Sequence, residues 1–314
     1  LLRGWRSVFV RKQTSLTSGL LRMNTALNDN IADLPPATLD QNVEIWSGKD
    51  KADENFPVGS WLIRKKLRPH VHAYYSFARN ADDIADHAEL SPAEKIERLD
   101  IMEAVLIGTR EQGSASALRL RESLAQSGVP ALHARELLVA FRQDATKTRY
   151  ANWAELMDYC RYSAAPVGRY MLDLHGESRA TWPASDALCA SLQVLNHLQD
   201  CAGDLRTLDR CYVPQDWLAA HGVRTDDIAR NKTEPGLRAT FDDMLRETRA
   251  LNVAASALPP RVKARRLRVE TAMIAGIARR LTARLQNQDP LSMRVKLKAP
   301  DLLAATLVAL PRFR

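Results

Sequence analysis

Apolar residues recur every three or four positions along most of this chain. In residues 93–106 they fall at Ile96, Leu99, Met102 and Leu106, the spacing of one buried helix face. Ser91 supplies an N-cap for that helix, Pro92 a first-turn proline and Glu94 the acid of a capping box. The same period predicts helices over 68–87, 117–126, 130–144, 152–175, 184–204, 237–257, 262–286 and 299–310. Gly- and Pro-containing breaks separate them, as at Gly108–Ser114, Ser127–Pro130, Gly176–Pro183, Arg206–Pro214, Gly222–Gly236 and Ala257–Pro260. No run of four or more residues alternates as a strand would, and no fixed repeat appears. The connections are short, and none is long enough to separate a second domain. The pattern therefore predicts one all-α domain over residues 41–314, behind a leader over 1–40.

Composition narrows the class. The chain has 314 residues, 46% of them apolar, which is ample for a large core. Its longest candidate span, Leu302 to Leu310, falls far short of the roughly 20 residues that cross a bilayer. The four cysteines, Cys160, Cys189, Cys201 and Cys211, show no CxxC pair; reduced thiols and a cytoplasmic setting are expected.

The net charge of +8 changes meaning once it is located. Residues 1–22 and 290–314 hold ten of the 45 basic side chains but one of the 37 acidic ones. The body between them is close to neutral, which argues against a nucleic-acid face. The basic ends suit peripheral contact with an anionic membrane at its inner face. The first 22 residues lack a secretory apolar core and loosely resemble a transit peptide; a plain disordered leader is the preferred reading.

Two acidic clusters carry the candidate chemistry. In Ala81-Asp82-Asp83-Ile84-Ala85-Asp86, Asp82 and Asp86 lie one helical turn apart on one face, and Asp83 flanks it. They follow an apolar, aromatic stretch, so they sit where unpaired carboxylates are costly. Arg79, one turn earlier, suits either an acid or a phosphate oxygen. The second cluster aligns Gln193, Asn196, Asp200 and Asp204 along one face, with Val194, Leu195, Leu198 and Cys201 left for packing. Hard oxygen donors of this kind suit Mg²⁺, which uses one or two carboxylates with waters and phosphates. Two such faces across an apolar cavity would clamp a diphosphate, with the metals as Lewis acids. A single acid-rich helix face is usually just solvated; the pairing is the signal. His70 and His72, two apart, point to different helix faces and are expected to pack rather than bind metal.

These residues resemble the squalene/phytoene synthase family. Tyr75-x-Phe77-x-Arg79-x-x-Asp82-Asp83-x-x-Asp86 looks like its first aspartate motif, and Gln193-x-x-Asn196-x-x-x-Asp200-x-x-x-Asp204 like its second. Tyr159-Cys160-x-x-Ser163-Ala164-x-Pro166-Val167-Gly168 and Arg210-x-Tyr212-x-Pro214 resemble two further family runs. The resemblance implies an all-α isoprenoid-synthase fold with a central apolar cavity. It implies Asp82, Asp83, Asp86, Asn196, Asp200 and Asp204 as Mg²⁺ ligands, two or three ions binding with the diphosphate. Arg79 and Arg210 become diphosphate contacts; Tyr75, Tyr159 and Gln193 become polar groups near the reacting centre. Tyr75 and Tyr159 are equally readable as core tyrosines.

The departures from the family pattern point further. The Arg-Asp and Glu-Asp pairs usual in condensing members read Gln199-Asp200 and Gly203-Asp204 here. Together with Pro166 and Glu54-Asn55-Phe56-Pro57, this resembles the bacterial hydroxysqualene synthase subfamily. That resemblance implies capture of a carbocation from presqualene diphosphate by water, without NADPH. A paralogous enzyme would supply the presqualene diphosphate. Glu54 and Asn55 are candidates to hold the water, with Phe56 beside the substrate; capping of the next helix is the equal alternative. Two other functions stay open at this stage. One is a head-to-head prenyl transferase making presqualene diphosphate, squalene or phytoene. The other is a non-catalytic relative acting in respiratory-complex assembly.

Overall fold

The computed structural model describes residues 42–44, 63–293, 295–297, 301 and 305. Glu54, Asn55, Phe56 and the leader over 1–40 lie outside the described residues. Within them the chain is helical, and the only strand-like pairings are two isolated bridges, Asn42 with Gly113 and Arg149 with Cys211. The helices are α1 (Arg68–Ala85), α2 (Pro92–Ile107), α3 (Ala115–Ser127), α4 (Leu132–Asp144), α5 (Trp153–Ser163) and α6 (Ala165–Leu174). After them come α7 (Trp182–Leu208), α8 (Gln215–Ala220), α9 (Pro235–Ala255), α10 (Leu258–Arg261) and α11 (Arg265–Asn287).

Local chemistry sets most of these boundaries. Ser91 and Glu94 form the reciprocal capping box expected of them. Gly108 and Gly128 end α2 and α3 in the left-handed conformation that glycine adopts freely. Two boundaries differ from the periodicity. The stretch 152–175 is two helices rather than one, because Pro166 lacks an N–H and its ring would strike the carbonyl four residues back. Helix α7 runs on to Leu208 and is stopped by Asp209 at φ 47°. The tail expected as a last helix is described at two positions only, both helical and both packed. Asp301 pairs with Arg284 at 2.5 Å, and Ala305 is buried against Gly276.

The apolar side chains gather into two clusters. One joins α1 to α4 with Tyr170 and Leu174 of α6. The other joins α5, α7, α9 and α11 around Leu195, Phe241 and Leu281. Helices α6 and α7 connect the two halves and approach closely at Gly168. A Cβ there would lie 2.4 Å from the Ser185 Oγ and 2.7 Å from the Cys189 Sγ. The four cysteines are unpaired, as expected.

Candidate active site

Three helix ends meet at one arginine. Helix α1 is capped by Asp86, α4 ends on Asp144, and Asp204 lies in the last turns of α7. The bridge between Arg149 and Cys211 lays the segment after α7 beside the segment after α4. The Cys211 N–H donates to the Thr148 carbonyl at 2.8 Å. This places Arg210, only 4% exposed, among all three ends. Its backbone N–H donates to the Asp204 carbonyl at 3.3 Å. Its Nη1 donates to Asp86 Oδ1 at 3.1 Å and Nη2 to the Asp144 carbonyl at 2.8 Å. Nη1 also reaches the Tyr212 hydroxyl at 3.3 Å.

The electrostatics follow from this convergence. Each helix C-terminus carries a partial negative charge, and here each brings a carboxylate as well. Burial pushes the Asp204 carboxyl up to about 7, with Asp200 and Asp86 adding to the rise and Arg210 opposing it. Arg210 links the two motifs, donating to the Asp86 carboxylate from its side chain and to the Asp204 carbonyl from its backbone N–H. Burial opposes the charge on Arg210, but Tyr212, Asp144 and Asp86 outweigh it and hold the guanidinium firmly cationic. Lys95 of α2 also senses the cluster: burial and Arg210 lower its ammonium, while Asp86 and Asp144 hold it up.

On α1 the acids are already engaged by a cation. Arg79 forks onto Asp83, Nη2 to Oδ1 at 2.7 Å and Nε to Oδ2 at 3.3 Å. It stands 3.9 Å from Asp82. Asp82 and Asp83 are both buried. Tyr75 is half-buried on the same helix. On α7, Gln193 is buried, and Asn196, Asp200 and Asp204 are partly exposed along one stripe.

Beneath Arg210 lies an aromatic cluster. Tyr159 is fully buried and donates its hydroxyl to Asp144 Oδ2 at 2.9 Å. Burial, then Asp144, push that phenol well above its ordinary range. Tyr212 lies 5.4 Å from Tyr159, ring to ring, and stacks on His197 at 3.5 Å. Burial, with Arg210 nearby, drives the His197 imidazole well below its usual value, so it is neutral. His70 packs as expected, with its Nδ1 2.7 Å from the Ser123 hydroxyl.

The departures in the second motif have structural counterparts. Gln199 does not face the acids. It is buried and donates Nε2 to the Val295 carbonyl at 2.6 Å, tying α7 to the chain beyond α11. Gly203 faces open space, with nothing within 4 Å of where a Cβ would sit.

The donor chemistry fits a hard divalent cation. Among the described residues, no three His, Cys, Asp or Glu side chains gather closely enough to hold a metal unaided. Sequence reasoning missed Asp144 and Lys95, and assigned no role to Tyr212 or His197. Only Tyr212 carried a signal, through its place in the Arg210-x-Tyr212-x-Pro214 run.

The squalene/phytoene synthase family profile matches residues 49–301. A hydroxysqualene synthase of Rhodopseudomonas palustris is 48% identical over 85% of this chain and 91% of its own. One from Zymomonas mobilis is 43% identical over 84% and 89%. A phytoene synthase of Thermus thermophilus is 30% identical over 78% and 83%. Among solved structures, squalene synthase HpnC of Alicyclobacillus acidocaldarius superposes with a TM-score of 0.67 at 30% identity. It covers 74% of this chain and 88% of its own. By profile, sequence and fold together, the chain belongs to the squalene/phytoene synthase family.

Proposed function

We propose that this protein is a Mg²⁺-dependent enzyme that converts presqualene diphosphate and water to hydroxysqualene, releasing diphosphate. The observation that carries the reading is that the ends of α1 and α7, each bearing an acidic motif, meet at Arg210, which donates to Asp86 Oδ1 and to the Asp204 carbonyl. The choice of product is supported by the relatives named hydroxysqualene synthase at 43–48% identity.

Asp82 and Asp83 of α1, Asp86 at its cap, and Asn196, Asp200 and Asp204 of α7 would hold the Mg²⁺. Bound there, the ions supply Lewis-acid stabilisation of the departing diphosphate. Arg79 and Arg210 offer guanidinium donors to its oxygens. The apolar helix walls hold the hydrocarbon and keep bulk water from the cation. The water that captures the cation gives its oxygen to the new C–O bond and its proton to the released diphosphate. No hydride is transferred, so no reduced nicotinamide takes part. Glu54 and Asn55 are proposed to hold that water.

The test is incubation with presqualene diphosphate and Mg²⁺, without reductant, followed by product identification. Hydroxysqualene is expected, and farnesyl diphosphate alone should yield nothing. Presqualene diphosphate or phytoene formed from two prenyl diphosphates would instead establish the condensing reading, which the 30% identity to a phytoene synthase keeps in view.

Among the described residues no helix is long and apolar enough to cross a membrane. Peripheral membrane contact is proposed for the basic leader, because Asp301 and Ala305 of the tail are packed on α11. Liposome binding should fall when residues 1–22 are removed.

A further inference from the structure

Two basic runs that lie far apart in the sequence come to one end of the molecule. Arg64, Lys65 and Lys66 lead into α1, and all three are exposed. Arg261, Lys263, Arg265 and Arg266, also exposed, span the turn from α10 into α11. Helix α6 and the turn after it join the two runs. The Tyr170 hydroxyl of α6 donates to the His70 carbonyl, in the first turn of α1, at 3.0 Å. Glu177, just beyond α6, accepts from the Lys263 and Ala264 N–H groups at 2.8 and 2.7 Å. Exposed Arg179 follows it and lies over the ring of Trp182, the first residue of α7. This end is opposite Arg210, because α1 and α7 both start here and both finish at the candidate active site. The 18 residues of α1 alone put about 27 Å between the two ends.

The charge at this end is left unneutralised. Residues 63–81, 178–185 and 251–269 contain no Asp or Glu. The acids of the α6–α7 turn are engaged within the fold: Glu177 caps α11, and Asp173 binds Trp182 Nε1 at 3.3 Å and His133 Nε2 at 3.0 Å. Among the described residues none of these exposed cations forms an ion pair. Elsewhere on the surface arginines are paired, Arg142 with Asp100, Arg149 with Asp209 and Arg246 with Asp243. The placement also opposes helix stability. A helix N-terminus carries partial positive charge and favours acids in its first turn. Helix α11 opens instead on Arg265 and Arg266, with no acid in that turn. An anionic partner would relieve both the mutual repulsion and the conflict with the dipole. Apolar surface adjoins the charge, since Val253 near the end of α9 is 73% exposed and Pro260 of α10 is exposed. A bilayer offers anionic headgroups over acyl chains and so matches both features. A nucleic acid would answer the charge alone.

We propose that this end of the helical bundle is a docking face for an anionic lipid surface. Docked this way, the protein keeps the Arg210 end in water, away from the bilayer. The proposal goes beyond the reaction assigned above and does not depend on it, because vesicle binding needs no turnover.

The full chain is sedimented with vesicles of mixed phosphatidylcholine and phosphatidylglycerol, and with vesicles of phosphatidylcholine alone. It should prefer the anionic vesicles and lose the preference in high salt. Each basic side chain at such a surface contributes about five-fold in affinity. Changing Arg261, Lys263, Arg265 and Arg266 together to Gln should therefore weaken binding about 100-fold or more, and K65Q with K66Q about 20-fold. Arg142→Gln and Arg246→Gln, which remove paired arginines elsewhere, should each change it by less than about two-fold. The basic leader is present in every variant, so the differences report the folded face. Thermal unfolding of the variants should match the parent. Should the fourfold variant fail to fold, K65Q with K66Q carries the test. Variants that bind as the parent does, a loss confined to one of the two runs, or equal affinity for neutral vesicles would overturn the proposal. So would tighter binding to an oligonucleotide than to the anionic vesicles, or losses from Arg142→Gln and Arg246→Gln as large as those from the basic runs.

Discussion

Glu270 is another buried acid, and its consequence is for stability. It lies on α11, 5% exposed, on the helix flank that also carries Ile274 and Ile277 one and two turns on. Burial alone raises its carboxyl from 4.5 to about 7. The group is an acid whose folded value is raised, so the folded state binds its proton more tightly than the unfolded one. Between roughly pH 4.5 and 7 the folded protein therefore loses stability as pH rises, and above that window the loss is complete. The gap between the two values corresponds to about 3 kcal/mol at pH 8 and almost nothing at pH 4. Replacing Glu270 with Gln removes the titration while keeping the shape. Glu270→Gln should match the parent near pH 4 and exceed it by about 3 kcal/mol at pH 8, roughly 4–5 °C in Tm for a chain of this size. Glu270→Leu should show the same pH trend. Denaturant unfolding of the three proteins across pH 4–8 measures it. A difference that does not change with pH, or a Gln variant less stable at pH 8, would refute the burial argument. Turnover of the same variants reports whether the acid is kept for the reaction at the expense of stability.

Asp82→Asn and Asp200→Asn should each reduce diphosphate release by about 100-fold or more, a loss of the size seen when one preorganised electrostatic contact to a leaving group is removed. Unchanged release would count against their role as ligands, and a non-catalytic assembly function would survive both changes. Because the Asp204 carboxyl is raised to about 7, metal–pyrophosphate binding should expel about half a proton at pH 7, rising to nearly one by about pH 6, and should tighten as pH rises to about 7. Calorimetry in buffers of different ionisation enthalpy measures the release. Gly168→Ala should destabilise the protein by about 1–3 kcal/mol in denaturant unfolding, since the added methyl meets Ser185 and Cys189 on α7. Ser91→Ala should lose about 1 kcal/mol in the same assay by breaking the capping box of α2, without touching activity.

Much of the fold was legible because helices are local. The three-and-four spacing of Ile96, Leu99, Met102 and Leu106 and the Ser91–Glu94 box located α2. The error at 152–175 was also local: the apolar period ran unbroken through Pro166, whose missing N–H outweighs it. The acids of α1 and α7 were legible for the same reason, since residues four apart share a helix face in any fold. What each charge meets is another matter. The sequence offered no reason to set Asp144 beside Arg210, which lies far along the chain from it, or to bring Lys95 near either. It left open whether Gln199 faces the acids, and packing turned it instead to the Val295 carbonyl. By itself the sequence determined the helices, their caps and the two oxygen-rich faces, because backbone hydrogen bonding and side-chain period act over a few residues. Only the tertiary structure decided that three helix C-termini share one guanidinium. Burial and Coulomb interactions depend on distance through space, and the docking of α1, α4 and α7 is what set those distances.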